Sequence, residues 1–306
     1  MRLSSAVFVG SALVACHGDP VGAPSSPSDA LVESSVASDS TVSFDSLGDD
    51  LALDETGISL LDTGPRSETG AIEDIGPFDG GDCGIYAAGP PMVNVGAFCI
   101  DSTEVTNAQY NAFLDAKVPP QSDSKLPSYC AFNSTYGLKV NEPDTLQAPR
   151  TSVDWCDAFA YCKWAGKRLC GKIGGGGTNA FTDYSNEAKS EWFYACNGGT
   201  VDNIYPYGPI FDHTKCNVDD YVADPVRSHP ACRGLKAPFD LIYDLSGNAV
   251  EWEDSCDTPA TGAGDHCLWR GGAYGFPEAI YSPCDNYYDN RTRDNVDAFV
   301  GIRCCK

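Results

Sequence analysis

The sequence predicts a disulfide-rich α+β domain with little regular secondary structure, carried behind an export signal and a long polar linker. Three observations lead there. Short stretches with helical spacing of apolar residues alternate with brief strand-like runs, all punctuated by 31 Gly and 20 Pro. Cysteine is abundant, at 15 residues. The chain also opens on a short apolar leader, which places those thiols outside the cytosol, where cysteines pair.

The 306 residues suffice for one large domain or two small ones. A net charge of −23, with only 20 Lys and Arg and no basic cluster, argues against a nucleic acid or an anionic membrane surface as partner. In residues 1–16 a single Arg2 precedes an apolar stretch too brief to span a bilayer. Leu13-Val14-Ala15-Cys16 resembles a bacterial lipobox, in which Cys16 becomes the lipidated first residue of the mature protein. An ordinary secretory signal with an incidental cysteine is the other reading. His17 stands where an inner-membrane retention signal would carry Asp, so the expected location is the outer membrane, reached through the lipid anchor alone. Without Cys16, fourteen cysteines remain, which fits seven bridges.

Residues 17–82 hold fifteen acidic residues against one Arg, Arg66, with no Cys, Trp or Tyr. Leu51, Leu53, Leu60 and Leu61 show no sustained period. Such a segment cannot bury enough apolar surface to offset its ordering entropy, and its like charges repel. It reads as a disordered tether, with a calcium-soaking or partner-binding tail as the alternative.

Order is expected from Cys83, giving a domain over residues 83–306. Val93 to Ile100 alternates as a strand does. Thr103 to Ala116 reads as a helix, with Thr106 as N-cap and Tyr110, Phe113 and Leu114 at helical spacing, ended by Pro119-Pro120. Residues 117–149 are loop-rich. A second helix over Asp154 to Lys167 places Trp155, Phe159, Cys162 and Trp164 near one face, and Gly166 closes it. Gly174 to Gly177 lack the Lys-Ser/Thr pair a phosphate-cradling loop needs and read as a mobile loop. A third helix is expected over Asn186 to Asn197. Beyond Thr200 short strands and turns dominate, with no repeat.

The Phe239 to Tyr274 stretch carries the densest pattern. A strand-like apolar run enters a tight turn at Ser246-Gly247-Asn248, where Gly and Asn accept positive φ cheaply. Glu251 follows between apolar residues, either as a surface acid of a strand or as an oxygen ligand held against the turn. His213-x-x-Cys216 and His229-x-x-Cys232 have zinc-compatible spacing, but exported thiolates oxidise, and a Cys216–Cys232 bridge competes. Cys256–Cys267 is a second expected local loop and Cys83–Cys99 a third. Asn133-Ser-Thr and Asn290-Arg-Thr match the glycosylation sequon. Asp285 to Asp297 interleaves Tyr, Asn, Asp and Arg, a composition suited either to an adaptable contact surface or to a solvated loop.

Five blocks in order resemble the formylglycine-generating (sulfatase-modifying factor) family. They are Ile-Asp-x-x-Glu-Val-Thr-Asn (100–107), Tyr-Cys-Lys-Trp-Ala-Gly-Lys-Arg-Leu (161–169), Gly-Asn-x-x-Glu-Trp (247–252), Arg-Gly-Gly-x-Tyr (270–274) and Gly-Ile-Arg-Cys (301–304). The resemblance implies a variant of the C-type-lectin fold. It implies the bridges Cys162–Cys304 and Cys196–Cys284, leaving Cys130, Cys156, Cys170 and Cys305 unassigned. It implies a calcium ion held by the Asp244 and Glu251 side chains and the carbonyls of Gly247 and Ala249; hydrogen bonding of both acids within the turn is the competing reading. A second calcium site would begin at Asn217-Val218, with only Asp219, Asp220 or Asp224 to complete it.

In the family's oxidases two cysteines after the Gly-Gly block hold copper and act on a substrate cysteine thiol. Two soft thiolates are what a cuprous ion needs. Here Phe276 and Tyr281 fall at those positions, so copper is not expected. Lectin-fold proteins similar to this family present ligand-binding faces near the C-terminus, which makes Asn286, Tyr287, Tyr288, Asn290, Arg291 and Arg293 the candidate surface. The expectation is therefore an exported lipoprotein that binds an unidentified protein or glycan without catalysis. Its rivals are a formylglycine-generating oxidase and a purely structural envelope protein. Limited proteolysis of the full chain is expected to trim it to about residue 83; equal protection of residues 17–82 would contradict the tether.

Overall fold

The structure, a computed structural model, describes residues 83–84, 86, 88–119, 126–137, 145–175, 182–257, 260–288 and 291–306. All belong to one compact unit, Ala71–Lys306. Cys16, the 17–82 segment and Asn290 lie outside the described residues. No helix among those residues is long and apolar enough to cross a membrane.

The expected strand over Val93 to Ile100 is a hairpin of β1 (Met92–Asn94) and β2 (Cys99–Asp101), with Met92 opposite Asp101. The split comes from the turn between them. Gly96 adopts φ +102°, and its N–H donates to Asn94 Oδ1 at 2.7 Å. Helix α1 (Asn107–Asp115) begins after Thr106, which accepts from the Gln109 N–H while the Gln109 side chain accepts from the Thr106 N–H. This reciprocal cap satisfies two otherwise orphaned donors. The residues before it are not helical because they are tied elsewhere: Val105 N–H donates to Ile302 O, and Arg150 N–H to Val105 O. Helix α2 (Trp155–Trp164) repeats the device with Asp154 and Asp157, and Gly166 follows its end at φ +78°.

Strand β3 (Arg168–Leu169) follows α2. Helix α3 (Glu191–Cys196) is shorter than expected because Ser190 caps it through the Phe193 N–H, while residues 186–190 form a turn closed by Ser190 N–H to Asn186 O. The apolar run from Phe239 makes a 3₁₀ turn over Phe239–Leu241 in place of a strand, with Leu241 N–H donating to Pro238 O. The long strand comes later, as β4 (Val250–Cys256). It is central in its sheet, antiparallel to β5 (Cys267–Arg270) and parallel to β6 (Val300–Gly301). The terminal β7 (Cys304–Cys305) sits between β2 and β3 in the other sheet, whose order is β1-β2-β7-β3.

The core is strongly aromatic. Trp155, Trp252 and Trp269 are fully buried together with Val153, Val300 and Ile302. Two of the buried indoles find an acceptor for the N–H: Trp155 Nε1 donates to Glu253 O and Trp252 Nε1 to Val153 O, both at 3.0 Å, while Trp269 Nε1 has no partner. Tyr110 of α1 stacks on Tyr161 of α2 at 5.5 Å, and Phe113 meets Trp164 at 5.4 Å.

Seven disulfides run through this frame. Cys162–Cys304, Cys196–Cys284, Cys216–Cys232, Cys256–Cys267 and Cys83–Cys99 are joined, and the four unassigned cysteines pair as Cys130–Cys156 and Cys170–Cys305. Two bridges, spanning 142 and 135 residues, both end on β7. Replacing Cys162 and Cys304 together with Ala is expected to cost about 5 kcal/mol by the loop-closure argument, against about 3 kcal/mol for the 16-residue Cys216–Cys232 loop. Denaturant unfolding of the two double variants checks the ordering, and equal losses would contradict the entropic account.

Candidate functional site

The turn at 244–251 makes three demands on the backbone. Asp244, Gly247 and Asn248 adopt φ of +63°, +77° and +60°. At Gly247 any Cβ would collide with the Asn217 carbonyl, so only glycine fits. The turn delivers Asp244 and Glu251 into the interior, 3% and 1% exposed.

Their partners differ from those of a simple two-carboxylate ligand pair. Both Glu251 oxygens accept from Arg303 Nε, at 2.8 and 3.0 Å, and Oε2 also accepts from Trp192 Nε1 at 2.7 Å. Arg303 NH2 lies 2.8 Å from Oε1. The carboxylate expected to face a cation is therefore taken up by a guanidinium and an indole. Asp244 Oδ2 accepts from the Arg227 N–H at 2.7 Å. The turn-capping reading thus describes part of what Asp244 does and none of what Glu251 does.

Sequence reasoning missed a third acid. Glu104, within the Glu-Val-Thr-Asn block, is fully buried. Its Oε1 accepts from Asn248 Nδ2 at 3.1 Å, while Oε2 has no hydrogen-bond partner. Asn248 Oδ1 in turn accepts from the Asp224 N–H and from Asn217 Nδ2. Burial raises the Glu104 carboxyl well above the usual range, and the neighbouring Asp244 raises it further. Burial likewise pushes Asp244 up to about 6. The only sequence signal for Glu104 was an acid set between Thr103 and Val105, immediately before a helix cap. Its partner, Asn248, lies 144 residues away.

Glu253, two residues along β4 from Glu251, anchors a second clamp. Arg270 NH1 donates to Glu253 Oε2 at 2.7 Å, and Ser190 Oγ donates to Oε1 at 2.9 Å. The same guanidinium donates to Cys284 O and Asn286 O and lies 4.6 Å from the Trp192 ring centroid. Gly272, at φ +72°, lets the chain pass so close to the Tyr281 carbonyl that a Cβ would sit 2.8 Å from it.

This close passage brings Phe276 and Tyr281 together. Their ring centroids are 5.4 Å apart; Phe276 also meets Phe299 at 5.2 Å, and Phe299 meets Trp269 at 5.8 Å. The two positions where the family's oxidases carry thiolates are thus part of an aromatic stack seated on the core. The nearest cysteine, Cys284, is bridged to Cys196, and every cysteine among the described residues is in a disulfide.

The Tyr- and Asn-rich segment proves less free than its composition suggests. Arg293 is 2% exposed, lies 4.2 Å from the rings of both Tyr129 and Trp155, and contacts Asp265 at 3.2 Å. It is a buried cation between aromatic faces, not a surface contact. Arg291 lies 4.9 Å from the Trp269 ring, and Tyr288 exchanges backbone hydrogen bonds with Trp269. Tyr287 lies 4.0 Å from the ring of Tyr184, and Asn286 Nδ2 donates to Tyr281 O. Asn286, Tyr287, Tyr288 and Arg291 remain half-buried.

The histidines part from the cysteines beside them. Cys216 and Cys232 are bridged, so neither offers zinc a thiolate. His213 pairs with Asp219 at 3.1 Å and His229 with Asp224 at 2.7 Å. Of the acids near Asn217, Asp220 and Asp224 come within 4.8 Å of His229 and of each other, on a partly exposed rim.

The sulfatase-modifying factor enzyme 1-like domain matches residues 58–306, beginning inside the stretch read as linker. The inactive C-alpha-formylglycine-generating enzyme 2 of Mus musculus is 29% identical over 130 residues, covering 38% of this chain and 35% of that protein. The formylglycine-generating enzyme of Bos taurus is 23% identical over 268 residues, covering 69% of this chain and 66% of its own. The chain thus spans less than two thirds of the length of either relative. The structure of PvdO from Pseudomonas aeruginosa aligns at 21% identity with a TM-score of 0.47, over 68% of this chain and 79% of that one. With the family match covering most of its length and the motif residues in place, this chain belongs to the sulfatase-modifying factor (formylglycine-generating enzyme-like) family.

Proposed function

We propose that this protein is a non-catalytic member of the family that binds a protein or glycan ligand at the surface of a bacterial envelope, held there by a lipid on Cys16. The observation that carries the reading is the Phe276–Tyr281 pair. Oxidation of a substrate cysteine by the family's route needs soft, deprotonated sulfurs to hold copper and engage the thiol. A phenyl ring offers no lone pair. A phenol has an ordinary pKa of about 10 and is a poor ligand for a cuprous ion. The neighbouring Cys284 is committed to a structural bridge.

Seven disulfides support an oxidising compartment and hence export. The net charge of −23 supports a partner other than nucleic acid. The half-buried rim of Asn286, Tyr287, Tyr288 and Arg291 is the proposed contact surface. Both active and inactive relatives exist in the family, which keeps the oxidase as the second reading.

Incubating the purified protein with a Cys-x-Pro-x-Arg peptide, copper and oxygen, followed by mass spectrometry, is expected to show no thiol-to-aldehyde conversion. Turnover lost on mutating Cys284 or Cys305 would establish the oxidase instead. Export and anchoring are tested separately: Cys16→Ser is expected to abolish lipid labelling and release the protein from membranes.

A further inference from the structure

Among the indoles and guanidinia of the core, four donor atoms without an acceptor fall on one strip. Trp155, Trp192 and Trp252 each donate their indole N–H, to Glu253 O, Glu251 Oε2 and Val153 O. Arg270 and Arg303 spend theirs on carboxylates and carbonyls. Trp269 Nε1, Arg291 Nε, and Arg293 Nε and Nη1 differ: each is buried and has no hydrogen-bond partner. Indoles and guanidinia only donate, and a buried donor left alone marks a missing acceptor.

Register brings these donors together. The segment 288–293 runs antiparallel beside β5, with Tyr288 opposite Trp269 and Thr292 opposite His266. Cys267 N–H donates to Arg291 O, and Arg293 N–H to Asp265 O. Opposed side chains share a face of a sheet, so Tyr288, Arg291 and Arg293 fall on the face of Trp269, and Thr292 on the other. The distances agree. The Arg291 guanidinium carbon is 4.9 Å from the Trp269 ring centroid, and that of Arg293 is 4.2 Å from the Trp155 ring. Asp265, the ion-pair partner of Arg293, is also taken up by Thr261 and Gly262. Arg291 has no ion pair among the described residues. Tyr288 and Arg291 are half-buried and form the mouth of the strip, while Trp269 and Arg293, 1% and 2% exposed, form its floor.

We propose that this strip receives an oxyanion, a carboxylate or sulfate group carried by the ligand, on Arg291 Nε and Trp269 Nε1, with Arg293 as a second positive charge beneath. Only an acceptor can satisfy this donor set, and a charged oxygen makes the stronger bond to a guanidinium. The net charge of −23 opposes an anion at long range, but charges beyond about 8 Å are largely screened at physiological ionic strength. The site deepens the proposed contact surface, whose Tyr288 and Arg291 stand at its mouth, and rests on that reading for what carries the oxyanion.

The experiment follows the indole N–H signals of the isotopically labelled full chain by nuclear magnetic resonance, each assigned through its backbone. Sodium glucuronate and sodium sulfate are the probes, with ionic strength held constant by sodium chloride. The Trp269 signal is expected to shift saturably with at least one probe. Those of Trp155, Trp192 and Trp252 are expected to stay, because their N–H groups already have acceptors. A response to glucuronate alone assigns a planar carboxylate, and to sulfate alone a tetrahedral group. Arg291→Gln is expected to weaken binding about tenfold or more, the worth of a hydrogen bond to a charged group, with little change in melting temperature. Arg291→Lys keeps the charge but loses Nε, and is expected to weaken binding too, which a mere effect of net charge would not do. No saturable Trp269 shift with either probe would overturn the site and leave water on these donors. Equal binding by wild type and R291Q would also overturn it, as an adventitious ion only. Neither probe needs a partner, copper or the lipid, so failure here is distinct from failure of the proposed function.

Discussion

The fold depends on the return of its last residues. Val300 and Gly301 pair with β4 in one sheet, and Cys304 and Cys305 pair with β2 and β3 in the other. Between them Arg303, fully buried, donates to Glu251, to Asp101 O and to Tyr243 O. A handful of residues therefore joins both sheets, and two long-range disulfides fix the join to α2 and to the segment after β3. The pairings of β7 close loops of more than a hundred residues, whose entropy must be met before the contacts form. Once the disulfides exist, that cost falls largely on the unfolded chain.

The family's signature residues are, in this light, mostly the parts of that join. Glu251 with Arg303 and Glu253 with Arg270 are buried ion pairs on one face of β4. A buried ion pair gives little net stability over apolar packing, but losing one partner is severe, because the other is left charged and dry. The pairs impose specificity: β4 fits only where both guanidinia meet it. This explains how the motifs persist where the thiolate positions do not. The scaffold needs Glu, Arg and Gly; the aromatic stack at Phe276 and Tyr281 needs only to fill its corner.

How much of this was legible in the sequence follows from the range of each interaction. The cap at Thr106, the helix start at Asp154 and the turn at Gly247 and Asn248 are local, and the residue pattern alone located them. The linear pattern failed where a distant partner decides the outcome. The apolar run at Phe239 looked like a strand, but its backbone closes on Pro238 and Phe239. Arg293 looked like a surface contact in a polar loop, yet two aromatic faces and Asp265 bury it. Tyr and Arg fit an exposed binding surface and a cation–π stack equally well, so composition could not separate the two.

Glu104 is the sharpest instance of that limit. In the linear sequence it is one of 43 acids, marked only as the Glu of the Ile-Asp-x-x-Glu-Val-Thr-Asn block, with nothing there to say what it faces. It matters because Arg303, a single guanidinium, is claimed by Glu251 from β4 before the other two carboxylates can share it. The indole of Trp192 tips the geometry by giving Glu251 a second donor that Glu104 lacks. A helix placed some sixty residues before β4 thus selects which carboxylate is left with an unmet oxygen. The local electrostatics of the site are a consequence of the packing around it.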